Sequence, residues 1–174
     1  MAPLRITITN VKQTRDVLQI HVQCANVGQK SLYVAYRQAE RVLPFIDWRG
    51  NVLTLYYGPR KVDKDKYYVR PATTIFRLID ANGMLEWDEQ VMVPVWACKC
   101  SLFPLGTSFR VGRFEVEVAY FTEWPYPERP PGPGEAGYVQ DADLGHKPAS
   151  SRSALLRCPD ALDVTAVQTC DADW

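Results

Sequence analysis

Apolar and polar residues alternate one for one through Leu18, Ile20, Val22 and Cys24 against Gln19, His21 and Gln23. A period of two belongs to a β-strand with one face on a core and the other in water. The alternation returns at Leu4, Ile6 and Ile8 against Arg5, Thr7 and Thr9, and again at Phe114, Val116 and Val118 against Arg113, Glu115 and Glu117. A slip of one residue in register would turn every apolar side chain to the wrong face. These segments therefore predict one core holding Leu18, Ile20, Val22, Cys24, Phe114, Val116 and Val118, with Gln19, His21, Gln23, Glu115 and Glu117 outside it.

Further strands are expected over residues 31–36, 52–57, 67–70, 73–79, 84–87, 90–96 and 108–121, separated by turn-forming residues. Thr14-Arg15-Asp16 predicts a hairpin between the first two strands, residues 47–51 a hairpin with a longer loop, and Asn82-Gly83 a primed-turn hairpin between 75–79 and 84–87. This density of short strands predicts an all-β fold, an antiparallel β-sandwich with an immunoglobulin-like shape; a closed barrel is the structural rival. Composition changes after Trp124. Pro125, Pro127, Pro130, Pro131 and Pro133, with Gly132, Gly134 and Gly137, disfavour a regular ladder. The expected organisation is a sandwich over residues 1–124 and, over 125–174, a Pro/Gly-rich connection with a mostly irregular extension docked on the body. Two short helix signals lie in that extension, at 151–158 and 160–169.

The chain has 174 residues, 20 Lys+Arg against 20 Asp+Glu, and a formal net charge of +0. That balance provides no general field to attract nucleic acid or an anionic membrane. No apolar run approaches the roughly 18 residues of a membrane span. The first residues carry no leader pattern and the five cysteines lack the spacing of a disulfide scaffold, so the expected setting is cytoplasmic, with reduced thiols.

Chemistry-bearing patterns are sparse. His21 and His146 lie in no nucleophile or zinc-protease motif. Glu115 and Glu117 would project about 7 Å apart from one strand face, near the separation of glycosidase carboxylates, but solvated outer-face residues are the simpler reading. Cys98, Cys100, Cys158 and Cys170 have the wrong spacing for a structural zinc knuckle, and Asp141, Asp143, Asp171 and Asp173 lack the ordered ligands of a calcium loop. A Cys158–Cys170 disulfide is the alternative for that pair. No catalytic residue, metal site or cofactor is therefore expected.

The aromatic residues carry the functional reading. Trp124 and Tyr126 stand outside the alternating pattern, among Pro127, Pro130 and Pro131. Rings and prolines together form a stiff surface that loses little entropy on binding. These five residues are the expected partner-binding site of a non-catalytic interaction module (adaptor, inhibitor or assembly subunit), engaging a protein or a second copy of the chain. A carbohydrate-binding module, which would need coplanar exposed rings, is the alternative, and a hydrolase without a motif comes third. In the structural reading, the same rings staple the proline segment to the body.

Overall fold

The computed structural model describes residues 2–38, 44–59, 73–98, 108–140 and 147–167. The strands are β1 (Leu4–Gln13), β2 (Val17–Asn26), β3 (Leu32–Gln38), β4 (Phe45–Arg49), β5 (Val52–Tyr57) and β6 (Thr73–Ile79), followed by β7 (Met84–Met92), β8 (Val95–Cys98), β9 (Ser108–Phe121), β10 (Ala136–Gln140), β11 (Ala149–Arg152) and β12 (Leu156–Val167). The fold is all-β, and among the described residues no helix is long and apolar enough to cross a membrane. The expected strand over 67–70, together with His146, Cys100, Cys170 and the four aspartates named above, lies outside the described residues.

A small antiparallel sheet has the order β1-β2-β7. Its first two strands form the expected hairpin, with a register shift between Thr9 and Lys12 where Asn10 takes a φ of 57°. Asparagine tolerates that left-handed conformation better than most residues. The large, nine-stranded sheet runs β10-β6-β3-β9-β12-β8, with β5 and β11 also paired to β9, and β4 to β5. Among the described residues neither sheet closes into a barrel. The large sheet is mixed, which corrects the expectation of purely antiparallel pairing: β5 runs parallel to β9, and β12 parallel to β8.

Alternation sets the core. Leu18, Ile20, Val22 and Cys24 of β2 meet Phe114, Val116 and Val118 of β9 in one buried cluster drawn from both sheets. Full burial of such side chains contributes about 1.5–3 kcal/mol each, so each register is strongly fixed. The Cys24 thiol is pushed up to about 12 by burial and behaves as a small apolar group.

Three local expectations are corrected. Asn82-Gly83 makes a turn, with Asn82 at φ 62° and the Gly83 N–H donating to the Asp80 carbonyl, but β6 and β7 do not pair. Instead β7 leaves the large sheet and joins β2 from Val17↔Met92 to Ala25↔Met84. A turn motif specifies reversal, whereas the inward faces of the following strand decide which sheet it enters. Second, the helix signals are overturned and the extension is not mostly irregular: β11 and β12 pair with β9 over much of its length. Pro159 falls where the β12 register shifts between Arg157 and Leu162, an irregularity that tolerates the missing N–H. Third, Glu115 and Glu117 are buried. They do face away from the main core, but flanking strands cover that outer face. Arg152 of β11 reaches Glu115 Oε1 through Nη1 and Glu117 Oε2 through Nη2, each at 3.1 Å. Thr54 and Ser150 hydroxyls donate to Glu115 and Glu117 respectively.

Glu89 lies on the inner face of β7, where the Tyr57 hydroxyl donates to its Oε2 at 2.7 Å and the Gln90 N–H to its Oε1. Burial raises the Glu89 carboxyl above its ordinary range, with the Tyr57 bond and Arg37 opposing the rise. The folded chain thus holds this proton more tightly than the unfolded chain, and stability falls as pH climbs from the ordinary carboxyl value through the raised one. Glu89→Gln keeps the acceptor for Tyr57 without a buried charge. Thermal melts should place the variant about 3 °C above the parent at pH 7, with the difference vanishing toward pH 4. An equal or lower melting temperature at pH 7 would show the carboxylate to be adequately solvated.

Candidate functional site

The outer face of the large sheet carries a second apolar cluster: Ala35, Tyr56, Phe76, Ala119, Phe121 and Val139. The chain leaves β9 at Phe121 and folds back over this cluster, so the proline segment is applied to a sheet face that would otherwise be bare. Trp124 lies 5.2 Å from Tyr33 and 6.3 Å from Phe76 between ring centroids, and Tyr126 lies 5.3 Å from Trp124 and 6.2 Å from Phe121. These are edge-to-face or tilted contacts of the favourable kind. Gly137 of β10 makes the close approach possible, because a Cβ there would lie 2.6 Å from Trp124 Cη2 and 2.8 Å from Pro131 Cγ.

Beyond the rings, the loop is closed by Glu135. Its Oε2 accepts the Gly132 N–H at 2.8 Å, and Arg129 Nη2 donates to the same carboxylate at 3.2 and 3.3 Å. The segment is thus held at its aromatic start and at its far end, and what lies between is presented to solvent. Pro127 and Pro130 are exposed, Trp124 and Tyr126 are half-buried, and Pro131 is buried against the body.

Two depressions flank the segment. A groove of about 540 Å³ is lined on one side by Lys30, Ser31 and Tyr33 and on the other by residues from Thr122 to Pro130. A smaller one of about 350 Å³ lies between Trp124, Arg129, Pro131 and the β10 residues Gly137 and Tyr138. All five residues singled out in the sequence line one or both. Their partners Lys30, in the turn before β3, Tyr33 on β3, and Gly137 and Tyr138 on β10 lay beyond sequence reasoning, because nothing in the sequence says that these segments meet the proline segment. The 64% exposure of Tyr138 on a strand ending a sheet has no signal in the sequence.

Other chemical groupings are arranged differently. His21 lies on the outward face of the small sheet, its Nδ1 2.8 Å from Asp88 Oδ1 and its Nε2 3.5 Å from Glu86 Oε2. The Asp88 hydrogen bond, opposed by desolvation and aided by the charges of both carboxylates, raises the imidazole above its ordinary value. This is a cross-strand ion-pair ladder on an open face rather than a cleft. Among the described residues no group of three or more His, Cys, Asp or Glu side chains is placed to hold a metal ion. Cys158 is buried and free among the described residues.

No protein-family model, curated protein or solved structure matches the chain.

Proposed function

We propose that the chain is a non-catalytic protein-interaction module whose contact surface is the proline segment from Trp124 to Pro131 and the groove beside it. The observation that carries this reading is the arrangement of the segment: pinned by rings at one end and by the Glu135 cluster at the other, with Pro127 and Pro130 facing water. A surface already held in its binding conformation loses little entropy when a partner docks. Tilted aromatic walls beside prolines suit an extended polypeptide. Trp124 is inclined 56° to Tyr33 and 65° to Tyr126. Such a cluster lacks the coplanar platform that a sugar ring would stack on, which favours protein over carbohydrate.

Two sheets sharing one core support reading the body as a β-sandwich of immunoglobulin-like outline. The buried free thiols Cys24 and Cys158 suit a cytoplasmic setting.

Because Trp124 and Tyr126 also staple the segment, replacing them would confound binding with folding. Pro127 and Pro130 separate the two. Short peptides selected from a displayed library on the parent should bind a Pro127→Ser/Pro130→Ser variant about tenfold more weakly or worse. Its melting temperature should stay within about 2 °C of the parent's, as expected for exposed positions. Selection of no peptide, or of peptides that bind both proteins equally, would overturn the assignment of this surface.

A further inference from the structure

We infer that the occupant of the larger groove is a second copy of this chain, joined through a two-fold contact in which each copy lays its proline segment against the aromatic wall of the other. This rests on the reading of the segment as an interaction surface and names its partner.

A two-fold interface brings a patch against itself, so the patch must contain both halves of every contact it makes. Few surfaces meet that demand, and this one does in two independent respects. Its apolar part holds both the ligand and the receptor of proline recognition, since Pro127 and Pro130 are exposed beside the half-buried rings of Tyr33, Trp124 and Tyr126. Proline-rich segments dock on such aromatic walls because their backbone is already ordered. Its polar rim is complementary in charge to its own copy. Lys30 stands on one wall, Glu123 and Glu128 on the other, all three exposed and in no ion pair among the described residues. Rotation by a half-turn sets the cationic wall of one copy against the anionic wall of the next. Arg129, already paired with Glu135, is not needed for this.

The contact is small, because one groove and its rim bury less than a standard interface, and weak association is the consequence. The dissociation constant should fall at about 10–100 µM.

The test is sedimentation velocity of the full chain across a concentration series. The parent should pass from monomer to dimer in that range. Lys30→Glu alone should weaken dimerisation about tenfold or more by facing its carboxylate with Glu123 and Glu128 of the other copy, and Glu123→Lys/Glu128→Lys alone should do the same by facing Lys30. An equimolar mixture of the two variants should restore the dimer, since each mixed pair regains attraction at both ends. A parent that stays monomeric to about 500 µM, variants that dimerise as the parent does, or a mixture that fails to recover would each overturn the proposal. The broader reading fails separately: peptide binding that depends on Pro127 and Pro130 in a strictly monomeric chain would keep the interaction surface and remove only the second copy as its partner.

Discussion

Replacing Asn26 by Asp should destabilise the protein by about 4 kcal/mol or more at pH 7. Asn26 ends β2 with 1% of its surface exposed, and its amide nitrogen donates to the carbonyls of Lys30 at 2.8 Å, Asp80 at 3.1 Å and Ile79 at 3.2 Å. Its side-chain oxygen accepts the Gly28 N–H at 3.0 Å. One side chain therefore ties together two of the corners where the chain crosses between sheets, β2 to β3 and β6 to β7. A carboxylate has no hydrogen to give at neutral pH. Three carbonyl oxygens would face a buried negative charge, having lost the two amide hydrogens they share, each worth about 1–3 kcal/mol when left unreplaced. Asn26→Ala removes the donors without adding charge and should cost about 2–3 kcal/mol. Urea denaturation of both variants checks the ranking, and the Asp variant should recover part of its loss near pH 4, where the protonated acid donates once more. Equal stability of the Asp variant and the parent would mean that water replaces the lost bonds.

Arg152→Leu should cost about 3 kcal/mol, at the lower edge of the range for breaking a buried ion pair. The guanidinium is itself half-exposed, with 55% of its side-chain surface accessible, which limits the effect. Its partners are not: the Glu115 and Glu117 side chains are 10% and 4% exposed and lie side by side on β9. Without Arg152 two neighbouring carboxylates keep their burial and lose its guanidinium. A triple variant, Arg152→Leu with Glu115→Gln and Glu117→Gln, should regain most of the stability, since the amides still accept from Thr54 and Ser150 and carry no charge. Chemical denaturation of the single and triple variants gives the comparison. A single variant within about 1 kcal/mol of the parent would show solvent to be an adequate substitute for the guanidinium.

Both positions also show where sequence reasoning stopped. The alternation of β1, β2 and β9 was legible because a two-residue period leaves only one way to sort side chains between faces. It sorted Glu115 and Glu117 to the correct face but mistook outward for exposed, since nothing in the sequence says that β5 and β11 flank β9. Asn26-Val27-Gly28 reads as a turn and nothing more; that its amide spans two corners depends on Asp80 arriving from far along the chain. The stretch from Leu156 to Val167 has apolar residues at spacings that fit a short helix as well as a strand, and only pairing with β9 and β8 decides between them. At the candidate site, Trp124 and Tyr126 were conspicuous for lying outside the periodic pattern. Tyr33, which completes their setting, is periodic and therefore inconspicuous, and Gly137 reads only as one more glycine of the irregular stretch.

The position of β9 at the middle of the large sheet bears on the order in which a nascent chain can fold. Its 14 residues are paired to β3 and β5, made earlier in synthesis, and to β11 and β12, made later. While residues 149–167 are still within the ribosome, the longest of the described strands has one whole flank of backbone donors and acceptors open. An open strand flank of that length invites pairing with another molecule. The chain between β9 and β11 therefore sets a waiting time, and the proline segment that first folds back over the sheet spends that interval covering the outer face while the flank remains unmade.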